Sequence, residues 1–127
     1  MTTPSPARYT VLVVDDDPSV RATYQRVLGR CGYRALTEGD PLRVVEGDGD
    51  PSTADLFLLD YRMPGMDGLS LLEKLREQNC RARCVLVSAY VNDEVRVRAT
   101  RLGVDRVLEK PLDVSLLRNV LADLLPT

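Results

Sequence analysis

The sequence predicts a doubly wound α/β domain, with five parallel strands in the order 2-1-3-4-5 and five helices covering both faces of the sheet. Three observations lead there. Five short apolar runs alternate with five segments of helical periodicity, which is the pattern of βα winding. Three runs, Val11–Val14, Leu56–Leu59 and Cys84–Val87, are apolar throughout instead of alternating, as strands covered on both faces must be. No internal repeat and no second set of elements appears, so one domain accounts for the pattern.

The first run, Tyr9–Val14, follows a polar, Pro-containing stretch, Met1–Arg8. That stretch lacks the apolar segment of a secretory signal and is expected to be a disordered lead-in to a domain at 9–125. Asp17-Pro18 starts the first helix, because an Asp caps the orphan amides and the fixed φ of Pro suits the first turn. Val20, Tyr24, Val27, Leu28 and Cys31 then share one face, and Gly32 closes the helix. Tyr33–Thr37 is the second strand. Asp40-Pro41 repeats the capping signal for a shorter helix ending near Gly47, and Gly47–Thr53 has the composition of a loop.

Asp55–Leu59 is the third strand, and Leu69, Leu72 and Leu75 give the third helix its stripe. Arg83–Val87 is the fourth strand; Val95, Ala99 and Leu102 mark the next helix, closed by Gly103. Val104–Leu108 is the fifth strand, and Asp113 caps a last helix with Leu117, Val120, Leu121 and Leu124 inside. The crossovers between parallel strands are expected to be right-handed.

Composition narrows the function classes. The chain is 44% hydrophobic and 28% charged, which is globular, and its net charge of −2 gives no bulk pull toward nucleic acid or an anionic membrane. No apolar run approaches the roughly 18 residues of a spanning helix. Neither direct nucleic-acid binding nor membrane association is therefore expected, and no DNA-binding or catalytic segment is seen after Leu125. Cys31, Cys80 and Cys84 have no framework spacing and suggest reduced thiols in the cytoplasm. The absence of His removes His-based acid–base catalysis, an internal phosphohistidine donor, and most of the ligands a zinc site would need.

The chemistry lies at the strand ends. The first strand runs into Asp15-Asp16-Asp17, the third into Asp60, the fourth into Ser88 and the fifth into Glu109-Lys110-Pro111. Parallel strands place their carboxyl ends on one edge, where open α/β sheets bind ligands, so these groups should converge. Asp15, Asp16 and Asp60 brought together would repel, raising a pKa or demanding a cation. Mg2+ suits such a site, since it prefers oxygen and typically takes one or two carboxylates plus phosphate oxygens. Lys110 adds a point positive charge suited to phosphate, and Ser88 a hydroxyl donor. A carboxylate nucleophile, a metal, a cation and a hydroxyl are the parts of phosphoryl transfer. Singly, each has a plainer reading: Asp17 as a helix cap, Asp60 as the start of a turn supported by Gly65 and Gly68, Ser88 and Lys110-Pro111 as loop residues. Their joint placement favours phosphoryl chemistry.

These motifs resemble the receiver domain of two-component response regulators over roughly Tyr9 to Leu125. Val-Leu-Val-Val-Asp-Asp-Asp-Pro at 11–18 is similar to the family's acidic pair after the first strand. Leu-Leu-Asp-Tyr-Arg-Met-Pro-Gly-Met-Asp-Gly at 58–68 resembles its phosphoacceptor segment, Val-Ser-Ala at 87–89 its hydroxyl step, and Glu-Lys-Pro at 109–111 its lysine step. The resemblance implies a flavodoxin-like fold. It implies that Asp60 accepts a phosphoryl group from a sensor histidine kinase or phosphotransfer protein. Asp16 and Asp60 would bind Mg2+ directly, with Asp15 acting mainly through water and the backbone carbonyl of Arg62 completing the set. Ser88 and Lys110 would contact the phosphoryl group, and the Lys110-Pro111 bond would be cis.

The family usually has Tyr or Phe three residues before the Lys; here Val107 stands there, and Tyr90 is a candidate substitute. The fourth helix, fifth strand and fifth helix, which carry Arg96, Arg98, Arg101 and Arg106 on their first two elements, are expected to form a partner or homodimer surface. Two other readings stay open. Asp15-x-Asp17 is similar to the start of haloacid-dehalogenase phosphatases, with Asp15 as nucleophile, and a phosphorylation-independent interaction module is the third reading.

Overall fold

The computed structural model describes residues 9–48 and 50–126; the expected disordered lead-in at 1–8 lies outside the described residues. The strands are β1 (Thr10–Val14), β2 (Arg34–Glu38), β3 (Leu56–Asp60), β4 (Arg83–Ser88) and β5 (Arg106–Glu109). They pair in parallel in the order β2-β1-β3-β4-β5, as expected. The helices are α1 (Pro18–Arg30), α2 (Pro41–Val45), α3 (Gly68–Glu77), α4 (Asp93–Arg101) and α5 (Val114–Leu124). The segment expected to be a loop at Gly47–Thr53 contains a single 3-10 turn, Pro51–Thr53.

All five helices start on a short acidic or amide side chain. Asp17, Asp40, Asp67, Asn92 and Asp113 each accept a hydrogen bond from an amide of the helix's first turn. Asp67 and Asn92 carry no Pro beside them, so no neighbouring Pro marks them as caps in the sequence.

Alternation along each strand divides the core into two layers. Val11, Val13, Leu56, Leu58, Val85, Val87 and Leu108 pack on one face against Tyr24 and Leu28 of α1 and Leu117, Val120, Leu121 and Leu124 of α5. Leu12, Val14, Phe57, Leu59, Cys84 and Leu86 face the other way, against Val44 of α2, the leucines of α3, and Val95 and Ala99 of α4. A strand buried on both faces has no polar side, which is why β1, β3 and β4 read as continuous apolar runs. In α3 the buried stripe is wider than the periodicity suggested, taking in Leu71 as well as Leu69, Leu72 and Leu75. Cys84 lies deep in the second layer, where burial pushes its thiol up to about 12, and all three cysteines are free thiols. The Tyr9 hydroxyl donates to the carbonyl of Pro126, tying the start of the described domain to its end. Among the described residues no helix is long and apolar enough to cross a membrane.

Candidate functional site

The two central polar groups belong to the strands themselves. β3 runs through Asp60 and β4 through Ser88, one residue further than the apolar runs suggested. Asp60 lies opposite Val87 and Ser88 opposite Glu109 in the parallel register. The next amides are also pinned: Tyr61 N–H donates to the Val87 carbonyl at 2.8 Å, and Lys110 N–H to that of Ser88 at 2.8 Å. The ladder therefore fixes these side chains to one sheet edge.

Asp15 is 2% exposed and Asp60 7%, while Asp16 faces solvent. One carboxylate oxygen from each lies within 4.8 Å of the others. Lys110 Nζ stands 3.3 Å from Asp60 Oδ1 and 3.7 Å from Asp15 Oδ2. Burial raises the pKa of Asp60, the neighbouring Asp15 charge adds to the rise, and Lys110 opposes it. Three carboxylates facing one ammonium leave excess negative charge in a partly dry pocket. That all-oxygen donor set is compatible with a divalent metal ion.

The β1–α1 turn is held by contacts the sequence did not advertise. Asp15 Oδ1 accepts from Asp17 N–H at 2.9 Å, and Arg21 donates to the Asp15 carbonyl at 2.8 Å. Gly39 leaves the space for that guanidinium, since a Cβ there would collide with it. No local pattern distinguishes Arg21 from a solvated arginine. Asp17 itself is exposed and accepts from Ser19 N–H at 2.9 Å and Ser19 Oγ at 2.7 Å. It caps α1.

Ser88 is 1% exposed, and its hydroxyl is engaged along the chain. Ser88 Oγ donates to the Tyr90 carbonyl at 2.9 Å and accepts from Tyr90 N–H at 3.1 Å. The structure thus brings Ser88 to the edge with its proton committed to the β4–α4 turn. Arg62 is exposed in the segment between Asp60 and α3. The Lys110-Pro111 peptide is cis, as expected. Val107 is half-buried opposite Leu86, and Tyr90 is 64% exposed.

The two glycines of the Asp60 segment do different work. Gly65 has φ +86, where the turn requires a residue without a Cβ. Gly68 instead begins α3 directly on the backbone of Asp60: a Cβ would collide with the Asp60 carbonyl oxygen, and Gly68 N–H donates to the Tyr61 carbonyl at 2.8 Å. Beyond it, Arg98 of α4 reaches Asp67 Oδ2 at 3.1 Å and Ser70 Oγ at 2.8 Å. The one sequence signal for Arg98 is its position, three residues after buried Val95 and beside buried Ala99.

A doubly wound sheet thus gathers an acidic pocket, a lysine and a hydroxyl at its strand ends. The chain belongs to the response regulator receiver domain family, whose model matches residues 11–122. It is 38% identical over 112 residues to the chemotaxis protein CheY of Treponema pallidum, covering 87% of this chain and 78% of that protein. It is 35% identical over 107 residues to the DNA-binding transcriptional regulator NtrC of Escherichia coli, covering 84% of this chain. The chain spans only 23% of NtrC's length. Among solved structures, the response regulator TrrA of Thermotoga maritima, in complex with Mg2+ and BeF, superposes with a TM-score of 0.78 at 26% identity, covering 92% of this chain and 99% of that one. The chain is therefore a receiver domain of the two-component type. With the family shown, the phosphatase reading based on Asp15 falls away.

Proposed function

We propose that Asp60 is the phosphoacceptor and that Asp15, Asp16, Ser88 and Lys110 serve its reaction. The observation that carries this reading is the convergence of Lys110 Nζ on Asp60 and Asp15 within a buried acidic pocket. An Asp60 carboxylate oxygen attacks the donor's phosphorus, forming an acyl phosphate as the donor's bond to phosphorus breaks. Lys110 offsets the charge on the phosphoryl oxygens and holds the carboxylate toward the incoming group. Ser88 donates to a phosphoryl oxygen once its hydroxyl turns away from the Tyr90 carbonyl.

Mg2+ would be held by Asp16 and Asp60 directly, by Asp15 mainly through water, and by the Arg62 backbone carbonyl, and would neutralise charge on the transferring group. The oxygen-only donor set supports this choice, as does the Mg2+ and BeF carried by TrrA. We assign the output surface to α4, β5 and α5, as a homodimer or partner contact. In support, Arg96, Val97, Arg101 and Arg106 are exposed there.

Incubation with acetyl phosphate and Mg2+ tests the reading by intact mass. The wild type should gain one phosphoryl group and Asp60→Asn none. Modification that survives in Asp60→Asn but not in Asp15→Asn would overturn the assignment. Absence of modification in any form would favour the phosphorylation-independent module.

A further inference from the structure

Arg98 joins α4 to the segment that follows the phosphoacceptor. Its guanidinium is forked between Asp67 Oδ2 at 3.1 Å and Ser70 Oγ at 2.8 Å. Asp67 is at the same time the N-cap of α3, accepting from Ser70 N–H at 2.7 Å. That capped start of α3 is seated on Asp60 itself, through Gly68 against the Asp60 carbonyl and Gly68 N–H on Tyr61. A continuous chain of contacts thus runs from the Asp60 backbone through Tyr61, Asp67 and Ser70 to the middle of α4.

A second polar tether of α4 lies at its start. It is the Ser88–Tyr90 turn, two residues before the Asn92 cap. Recruiting Ser88 to a phosphoryl group removes its bond to the Tyr90 carbonyl and frees this end. Position 107 offers no large side chain to move with it, because Val107 is half-buried in the same layer as α4.

We propose that Arg98 is the positioning residue through which the state of Asp60 reaches α4: a clasp that makes α4 and the segment 61–67 move as one body. The proposal rests on the phosphoacceptor reading of Asp60. The ion pair alone, between two partly exposed side chains, would count for little. Its weight here comes from the shared use of Asp67 as cap and of Ser70 as second partner, which leaves the guanidinium one geometry.

The test compares amide exchange with and without beryllofluoride and Mg2+ in the wild type, Arg98→Gln, Arg98→Lys and Asp67→Asn. Asn retains the cap oxygen at position 67, so that variant breaks the clasp without unfolding α3. The wild type should change protection both in 61–67 and across α4. Arg98→Gln and Asp67→Asn should keep the response in 61–67 and in the first turn of α4 and lose it from Arg98 onward, while Arg98→Lys should restore part of it. A merely structural role would change overall protection equally in the loaded and free forms. An undiminished α4 response in both clasp-breaking variants would overturn the proposal, as would a wild type that responds only in 61–67. If the wild type takes up neither beryllofluoride nor a phosphoryl group, the reading of Asp60 has failed, and the clasp as a signalling element falls with it.

Discussion

Lys110 Nζ lies 3.3 Å from Asp60 Oδ1, so the proposed nucleophile's carboxylate is already paired with the cation proposed to meet the phosphoryl group. The same ammonium is 3.7 Å from Asp15, which makes Lys110 the nearest counter-charge to two buried carboxylates. The geometry gives four expected outcomes.

Replacing Lys110 by Met keeps the aliphatic stem and removes the charge. Phosphorylation of Asp60 by acetyl phosphate should slow by about a hundredfold to a thousandfold, the effect of losing one preorganised charge contact to the transferring group. Mg2+ should bind more tightly, because the competing cation is gone. Stopped-flow and titration measurements separate the two effects. Slower transfer with weaker metal binding would indicate a collapsed pocket instead.

Mg2+ should stabilise the fold, because Asp15, Asp16 and Asp60 crowd together. At a hundred times the dissociation constant the gain is about 2.7 kcal/mol, visible as a higher melting temperature. Asp16→Ala should abolish the shift. A wild-type melting temperature that ignores Mg2+ would rule out a formed site.

The raised pKa of Asp60 sets the sign of a pH dependence. Between the ordinary carboxylate range and the raised value, the folded state holds a proton that the unfolded state has released. Stability contributed at Asp60 therefore falls as pH rises through that window. Asp60→Asn should be more stable than the wild type at neutral pH without metal, and the advantage should vanish in acid below the usual carboxylate range. Denaturant titrations at a series of pH values check this; a constant difference at every pH would contradict it.

Gly68→Ala should cost about 1–3 kcal/mol, the usual penalty of forcing atoms into a packed site. The displaced atoms belong to the backbone of Asp60, so the variant should also phosphorylate more slowly. Gly65→Ala, strained only through its φ of +86, should lose stability with a smaller effect on phosphorylation. Equal rates in the two variants would separate Gly68 from the site.

Much of this was legible before any coordinates. Continuous apolar runs identified β1, β3 and β4, because a strand buried on both faces cannot afford a polar side chain. Asp-Pro pairs located α1 and α2, and the chemical residues stood out because each followed an apolar run. The run pattern ended one residue early at Asp60 and Ser88, since hydrophobicity stops where the ladder continues through polar groups. Gly68 was noticed as a turn residue, but its reason is the backbone of Asp60 pressed against it.

The winding of the fold, the acidic pair, the Asp60 segment and the hydroxyl and lysine steps are all written locally in the chain. Each is written in a few consecutive residues whose local physics is strong. Which arginines matter depends on the packing of distant elements. Arg21, Arg96, Arg98 and Arg101 look alike in sequence, yet Arg21 braces the Asp15 carbonyl and Arg98 clasps Asp67 and Ser70, while Arg96 and Arg101 face solvent. A long charged side chain takes its role from what other elements bring within reach of its end, and Asp67 lies 31 residues from Arg98 along the chain.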